Sequence, residues 1–143
     1  MRKSLSMQRF LIGASLIFST TAAHAAADVT GNWRTEDGSA VIAFARCGDQ
    51  MCAYIARVLA SRPGIPKTDV RNPDPALRTR PIQGLRIISG LHAKGKRWEG
   101  GRVYDPKSGK SYKSYVELNA DGSLKVAGCL AFICKAQRWT RVR

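Results

Sequence analysis

From residue 31 onward, apolar and polar residues alternate in short runs, the period-two signature of half-buried strands. Strands are predicted at 31–35 (GNWRT), 40–47 (AVIAFARC), 52–60 (CAYIARVLA), 82–90, 97–104 (RWEGGRVY), 111–118 (SYKSYVEL), 123–130 and 135–142. No helical period of useful length occurs between them. Turn chemistry separates the runs: Glu36-Asp37-Gly38, then Asp105-Pro106-Lys107-Ser108-Gly109, then Asn119-Ala120-Asp121-Gly122. Eight short antiparallel strands in a meander favour closure, because closure removes both exposed edges. An even count lets the first and last strands pair antiparallel. The pattern therefore predicts an all-β protein, a small up-and-down barrel, with a two-sheet sandwich as the competing architecture.

One stretch breaks the alternation. Residues 61–84 (SRPGIPKTDVRNPDPALRTRPIQG) are rich in proline, which fixes φ and removes amide donors, so the run cannot lie inside a sheet. A loop of this length in a compact domain is expected to be an ordered functional flap. Asp74-Pro75-Ala76-Leu77 has the N-cap and Pro-at-N1 character of a single helical turn.

Residues 1–25 read as a secretory leader: Arg2, Lys3 and Arg9, then the apolar segment 10–18, then Ala23-His24-Ala25 as a small-x-small cleavage site. The apolar segment is far short of the ~20 residues a bilayer span needs, so cleavage is expected over an uncleaved anchor. The expectation is a periplasmic or secreted single domain of residues 26–143, monomeric and without a transmembrane anchor. Loss of the leader takes three cations from a formal charge of +14 and leaves +11. That excess favours an anionic envelope component or an acidic small ligand as partner, against the alternative of a merely solvated basic surface. Nucleic acid is not expected, since export removes the opportunity and no recognition motif occurs.

An even cysteine count in an exported domain argues for disulfides among Cys47, Cys52, Cys129 and Cys134. Neither pair has a third metal ligand nearby, so no metal and no cofactor are expected. Two local bridges suit hairpin geometry, each contributing roughly 2 kcal/mol on the loop-entropy account. A long-range pairing would contribute ~4.5 kcal/mol and is not excluded by spacing. If Cys47 opposes Cys52, Phe44 opposes Ile55 and Ile42 opposes Arg57. Ile42, Phe44, Ile55 and Leu59 then share a face with Arg46 and Arg57. If Cys129 opposes Cys134, Leu124 opposes Trp139, which turns Trp139 inward and pairs Lys125 with Arg138 outside.

Two constellations could contact a ligand. Alternation puts Trp98, Arg102 and Tyr104 on one face, where an aromatic pair with an arginine suits an anionic or aromatic molecule, against the alternative of a capped aromatic core whose glycines relieve curvature; Gly100 and Gly101 could admit that ligand or a bulge. In the flap, Asp69, Asn72, Asp74, Arg78 and Arg80 could contact a ligand or satisfy one another as a network that holds an irregular segment. No nucleophile is matched to these carboxylates, and no catalytic triad, phosphate loop or zinc-protease motif occurs. No catalytic residue is therefore assigned, and His92 is expected to be exposed.

Gly31-Asn32-Trp33 near the start and Trp139-Thr140-Arg141 near the end resemble the calycin pattern of lipocalins. That resemblance implies structural roles for Trp33, Trp139 and Arg141, with the arginine over the first-strand tryptophan at the closed end. The segments TDVRNPDPALRTRPIQG, WEGGRVYDPKSGKSY and the final QRWTRV are further similar to a bacterial exported family catalogued as domain of unknown function 2147. The resemblance covers about 29–142 and implies a small exported β protein with no assigned activity. Together these readings lead to a lipocalin-like binding protein for a small amphipathic or anionic ligand. The alternative is a packed interaction or inhibitor module that uses its basic surface.

Overall fold

The computed structural model describes residues 25–59 and 66–143; the leader reading falls on residues outside that range, apart from Ala25. Eight strands form a closed barrel in sequence order: β1 (Gly31–Arg34), β2 (Ala40–Cys47), β3 (Gln50–Val58), β4 (Arg86–Lys94), β5 (Arg97–Asp105), β6 (Lys110–Leu118), β7 (Leu124–Leu130) and β8 (Ile133–Arg141). Every pairing is antiparallel and β1 closes on β8, so the sandwich is set aside. This topology places the β2–β3, β4–β5 and β6–β7 turns at one end, here the lower. The upper end carries the β1–β2 turn, the flap, the β5–β6 turn and the β7–β8 tip.

The lower half is packed solid. Trp33, Phe44, Met51, Leu91, Trp98 and Trp139 are buried there. The segment before β1 plugs the opening: the Trp33 indole donates to the Val29 carbonyl and the Trp98 indole to the Ala27 carbonyl, at 2.9 and 2.8 Å. Burying an indole N–H without a partner would cost about 1–3 kcal/mol, so these two bonds hold the plug in register.

Both disulfides are local, Cys47–Cys52 and Cys129–Cys134. The second hairpin has the expected register, with Cys129 opposite Cys134, Leu124 opposite Trp139 and Lys125 opposite Arg138. The first does not. Gly48 and Asp49 make a two-residue turn, so Cys47 opposes Gln50 and the bridge runs diagonally between Cys47 and Cys52. Phe44 therefore meets Ala53, and Ile42 meets Ile55. An irregularity between Val41 and Ile42 then takes Arg57 out of the inward series to face Val41, and Leu59 is exposed.

The fourth strand lies four residues later than the sequence pattern suggests, because Ile82 and Gly84 bond into the loop and to Ile55 instead of into a ladder. Its end also lies four residues later than the pattern suggests, because Gly90 stays within β4 at φ +73°. Gly100 in β5 also has positive φ, at +83°. Such bulges reverse which residues face inward. Because the register between β4 and β5 is the same on both sides of the glycines, the two strands switch faces together.

Candidate functional site

The β5 bulge separates the aromatic–arginine group. Trp98 opposes Val116, but Gly101 opposes Ser114 and Val103 opposes Tyr112, so Gly101 and Val103 continue the inward series. Arg102 and Tyr104 point outward, opposite Lys113 and Ser111. Trp98 sits in the lower core with the Arg46 guanidinium 4.6 Å from its ring centroid. The expected single face of Trp98, Arg102 and Tyr104 does not exist, since one inserted residue reverses the alternation on which it rested.

The flap residues do come together. Asp69 is fully buried, and its carboxylate accepts bonds from the Tyr104 phenol (2.5 Å), Asn72 Nδ2 (2.8 Å) and Arg80 Nε and Nη2 (3.0 and 2.8 Å). Burial would push this carboxyl up, but the bonds from Tyr104, Asn72 and Arg80 outweigh it and hold Asp69 below the ordinary range. Burial raises the Tyr104 phenol above its ordinary value, and the bond to Asp69 adds to that rise. Arg78 donates to the Asn72 carbonyl, while Asp74 caps the 3-10 turn Pro75–Leu77 through the Ala76 amide. With Tyr104 on the outward series, this knot fastens the flap to the outer wall of β5. Arg71 donates to the Lys107 carbonyl, and Lys107 pairs with Asp37 at 2.8 Å, so three upper loops are tied together. Burial pushes the Asp37 carboxyl up, but Lys107, Ser39 and Thr35 together bring it well below the usual range.

The inner wall of the upper half is different. On β8 the inward series is buried at Trp139, yet Gln137 and Lys135, next on that face, are exposed. On β6 the same series runs Val116, Ser114, Tyr112 and Lys110, from buried to exposed. Ser114 is buried, and its hydroxyl has no hydrogen-bond partner among the described residues. A serine hydroxyl sealed from water normally finds a partner. The missed residues are therefore Ser114, Lys135, Gln137 and Lys110. Alternation from Trp139 and Val116 could have placed them inward; only the burial profile singles them out.

Opposite this wall, the closed end carries Arg141 over Trp33, 4.2 Å from the ring centroid, with a bond to the Thr30 carbonyl at 3.0 Å. Trp139 meets Phe44 edge-on, with ring centroids 6.2 Å apart. Residues 31–141 match the family described as an uncharacterized protein conserved in bacteria (DUF2147). The chain belongs to that family. This DUF2147 barrel is also similar to the solved structure of a protein from the human pathogen Helicobacter pylori, described as belonging to the lipocalin family. The identity is 26%, the TM-score 0.71, and the match covers 81% of this chain and 84% of that one. None of the curated proteins matches the chain. The fold is thus a lipocalin-like barrel, sealed below by the Trp33–Arg141 stack. Among the described residues, no group of His, Cys, Asp or Glu is arranged to hold a metal ion.

Proposed function

We propose that this DUF2147 protein is an exported binding protein whose upper barrel holds a small amphipathic or anionic ligand. The observation that carries the reading is the buried hydroxyl of Ser114 on the inner wall, without a partner among the described residues, below the exposed, inward-series Lys110, Lys135 and Gln137. Such a wall offers an apolar floor, one hydrogen-bonding group at depth and cations at the rim, which suits a ligand with an apolar body and an anionic head. Two local disulfides support export to an oxidising compartment, the periplasm or beyond. The flap, fastened by Asp69 and Tyr104, serves here to position the rim. Recognition without conversion is the role proposed.

Native mass spectrometry of the protein purified from the bacterium that makes it tests this directly. The expected result is a retained small molecule that is lost in Ser114→Leu, with the variant still folded by circular dichroism. A wild-type protein that carries no adduct and releases nothing extractable would remove the reading. The packed lower half favours a second reading, an interaction module with a filled barrel, and that negative result would support it.

A further inference from the structure

We propose that the β7–β8 hairpin tip is a docking element for an anionic phospholipid surface. Leu130, Phe132 and Ile133 are 71%, 93% and 67% exposed and lie together at the upper end. Hairpin tips ordinarily carry Asn, Asp or Gly, because a tight turn needs positive φ. Here Ala131 takes that conformation, at φ 53°, between apolar neighbours. Directly below, the Cys129–Cys134 bridge joins the two strands across the ladder and limits how far the tip can fold down. No side-chain hydrogen bond or ion pair among the described residues engages 130–133. The chain thus holds three large apolar groups in water on a stapled support, which marks an interaction site.

Charge around the base selects the partner. Lys113 is the cross-strand neighbour of Cys129 and Arg102 that of Lys113; both are exposed. The acidic groups nearby are engaged: Glu99 bridges to Lys94 and Arg97, and Asp105 accepts from Ser108 and the Lys107 amide. An apolar apex above a cationic base is the arrangement of an interfacial anchor. The apex enters the acyl boundary while lysines and arginines meet phosphate at headgroup depth. A narrow projecting apex suits a soft bilayer better than the flat face of a protein. The docking residues Phe132, Lys113 and Arg102 lie off the inner wall, so this inference stands apart from the ligand reading.

The test is vesicle co-sedimentation of the full chain as the cell processes it, with phosphatidylglycerol-containing vesicles against pure phosphatidylcholine. Binding is expected only to the anionic vesicles, weakening as salt is raised. Phe132→Ser should bind roughly tenfold more weakly or worse, since one large apolar side chain no longer leaves water. Lys113→Glu with Arg102→Glu should lower binding as well. All are surface changes, and their melting temperatures check the fold. In Phe132→Trp, whose other tryptophans are buried, emission should shift to the blue on anionic vesicles alone. Equal partition to both vesicle types, or full binding by Phe132→Ser, would overturn the proposal. So would a concentration-dependent dimer that Phe132→Ser abolishes and that leaves vesicles unbound.

Discussion

The Tyr104 phenol donates to the buried carboxylate of Asp69 at 2.5 Å, across 35 residues of sequence, and this bond helps tie the flap to the barrel wall. Around it, Arg80 lies 5.8 Å from the Tyr104 ring centroid and ion-pairs with the same carboxylate. Removing one partner of such a group leaves the others desolvated and unpaired. Asp69→Ala should therefore cost about 3 kcal/mol in urea unfolding and Tyr104→Phe about 2 kcal/mol. The double variant should lose clearly less than the two losses added, because both act on one network. Additive losses would show that the phenol and carboxylate are independent.

Stability should have an acid and an alkaline limb. Asp69 and Asp37 are held below their unfolded values near 4, so their contribution is full above about pH 4 and is lost as pH falls through the folded values. Tyr104 is raised, so its contribution is full below about pH 10 and is lost as pH climbs through its folded value. Unfolding free energies measured from pH 2 to 11 in Tyr104→Phe should keep the acid limb from Asp37 and lack the alkaline one.

The upper loops depend on a close backbone approach. A Cβ on Gly109, which has φ +71°, would collide with the Arg71 carbonyl. Gly122 has φ +82° with nothing near it. Gly122→Ala should cost about 1–2 kcal/mol from its backbone alone, and Gly109→Ala distinctly more, because the flap must also move. Equal losses in chemical denaturation would mean that the flap does not press on this turn.

At the closed end, Arg141→Ala removes a guanidinium from the Trp33 face and a bond to Thr30. A loss of about 1–2 kcal/mol is expected, with Arg141→Lys recovering only part because an ammonium cannot stack as a plane. Thermal unfolding followed by near-ultraviolet circular dichroism would report both the stability and the Trp33 environment.

Reduction offers a further check. The Cys129–Cys134 loop closes six residues, so Cys129→Ser with Cys134→Ser should lose roughly 2 kcal/mol and leave the fold intact. A complete loss of structure would mean that the tip is needed to close the barrel.

Much of this architecture is legible in the order of residues. Alternation specifies strands wherever one face is buried, so the eight runs could be read directly, and the register of the second hairpin followed once Cys129 was set against Cys134; the Trp33–Arg141 stack came from the resemblance to the calycin pattern. The flap announced itself by its prolines, and its acidic and basic residues do satisfy one another around Asp69. What could not be read is parity beyond a bulge. Positive φ at Gly90 and Gly100 reverses the faces of β4 and β5, and a glycine looks the same in sequence whether or not it does so. That one unreadable choice sends Trp98 into the core while Arg102 and Tyr104 go outside. The two-residue turn after Cys47 likewise moved a bridge off its expected opposition, since spacing permits both direct and diagonal partners. Burial depends on what the neighbouring strands leave uncovered, and that is why Ser114, Lys135 and the exposed tip at Phe132 emerged only once the barrel had closed.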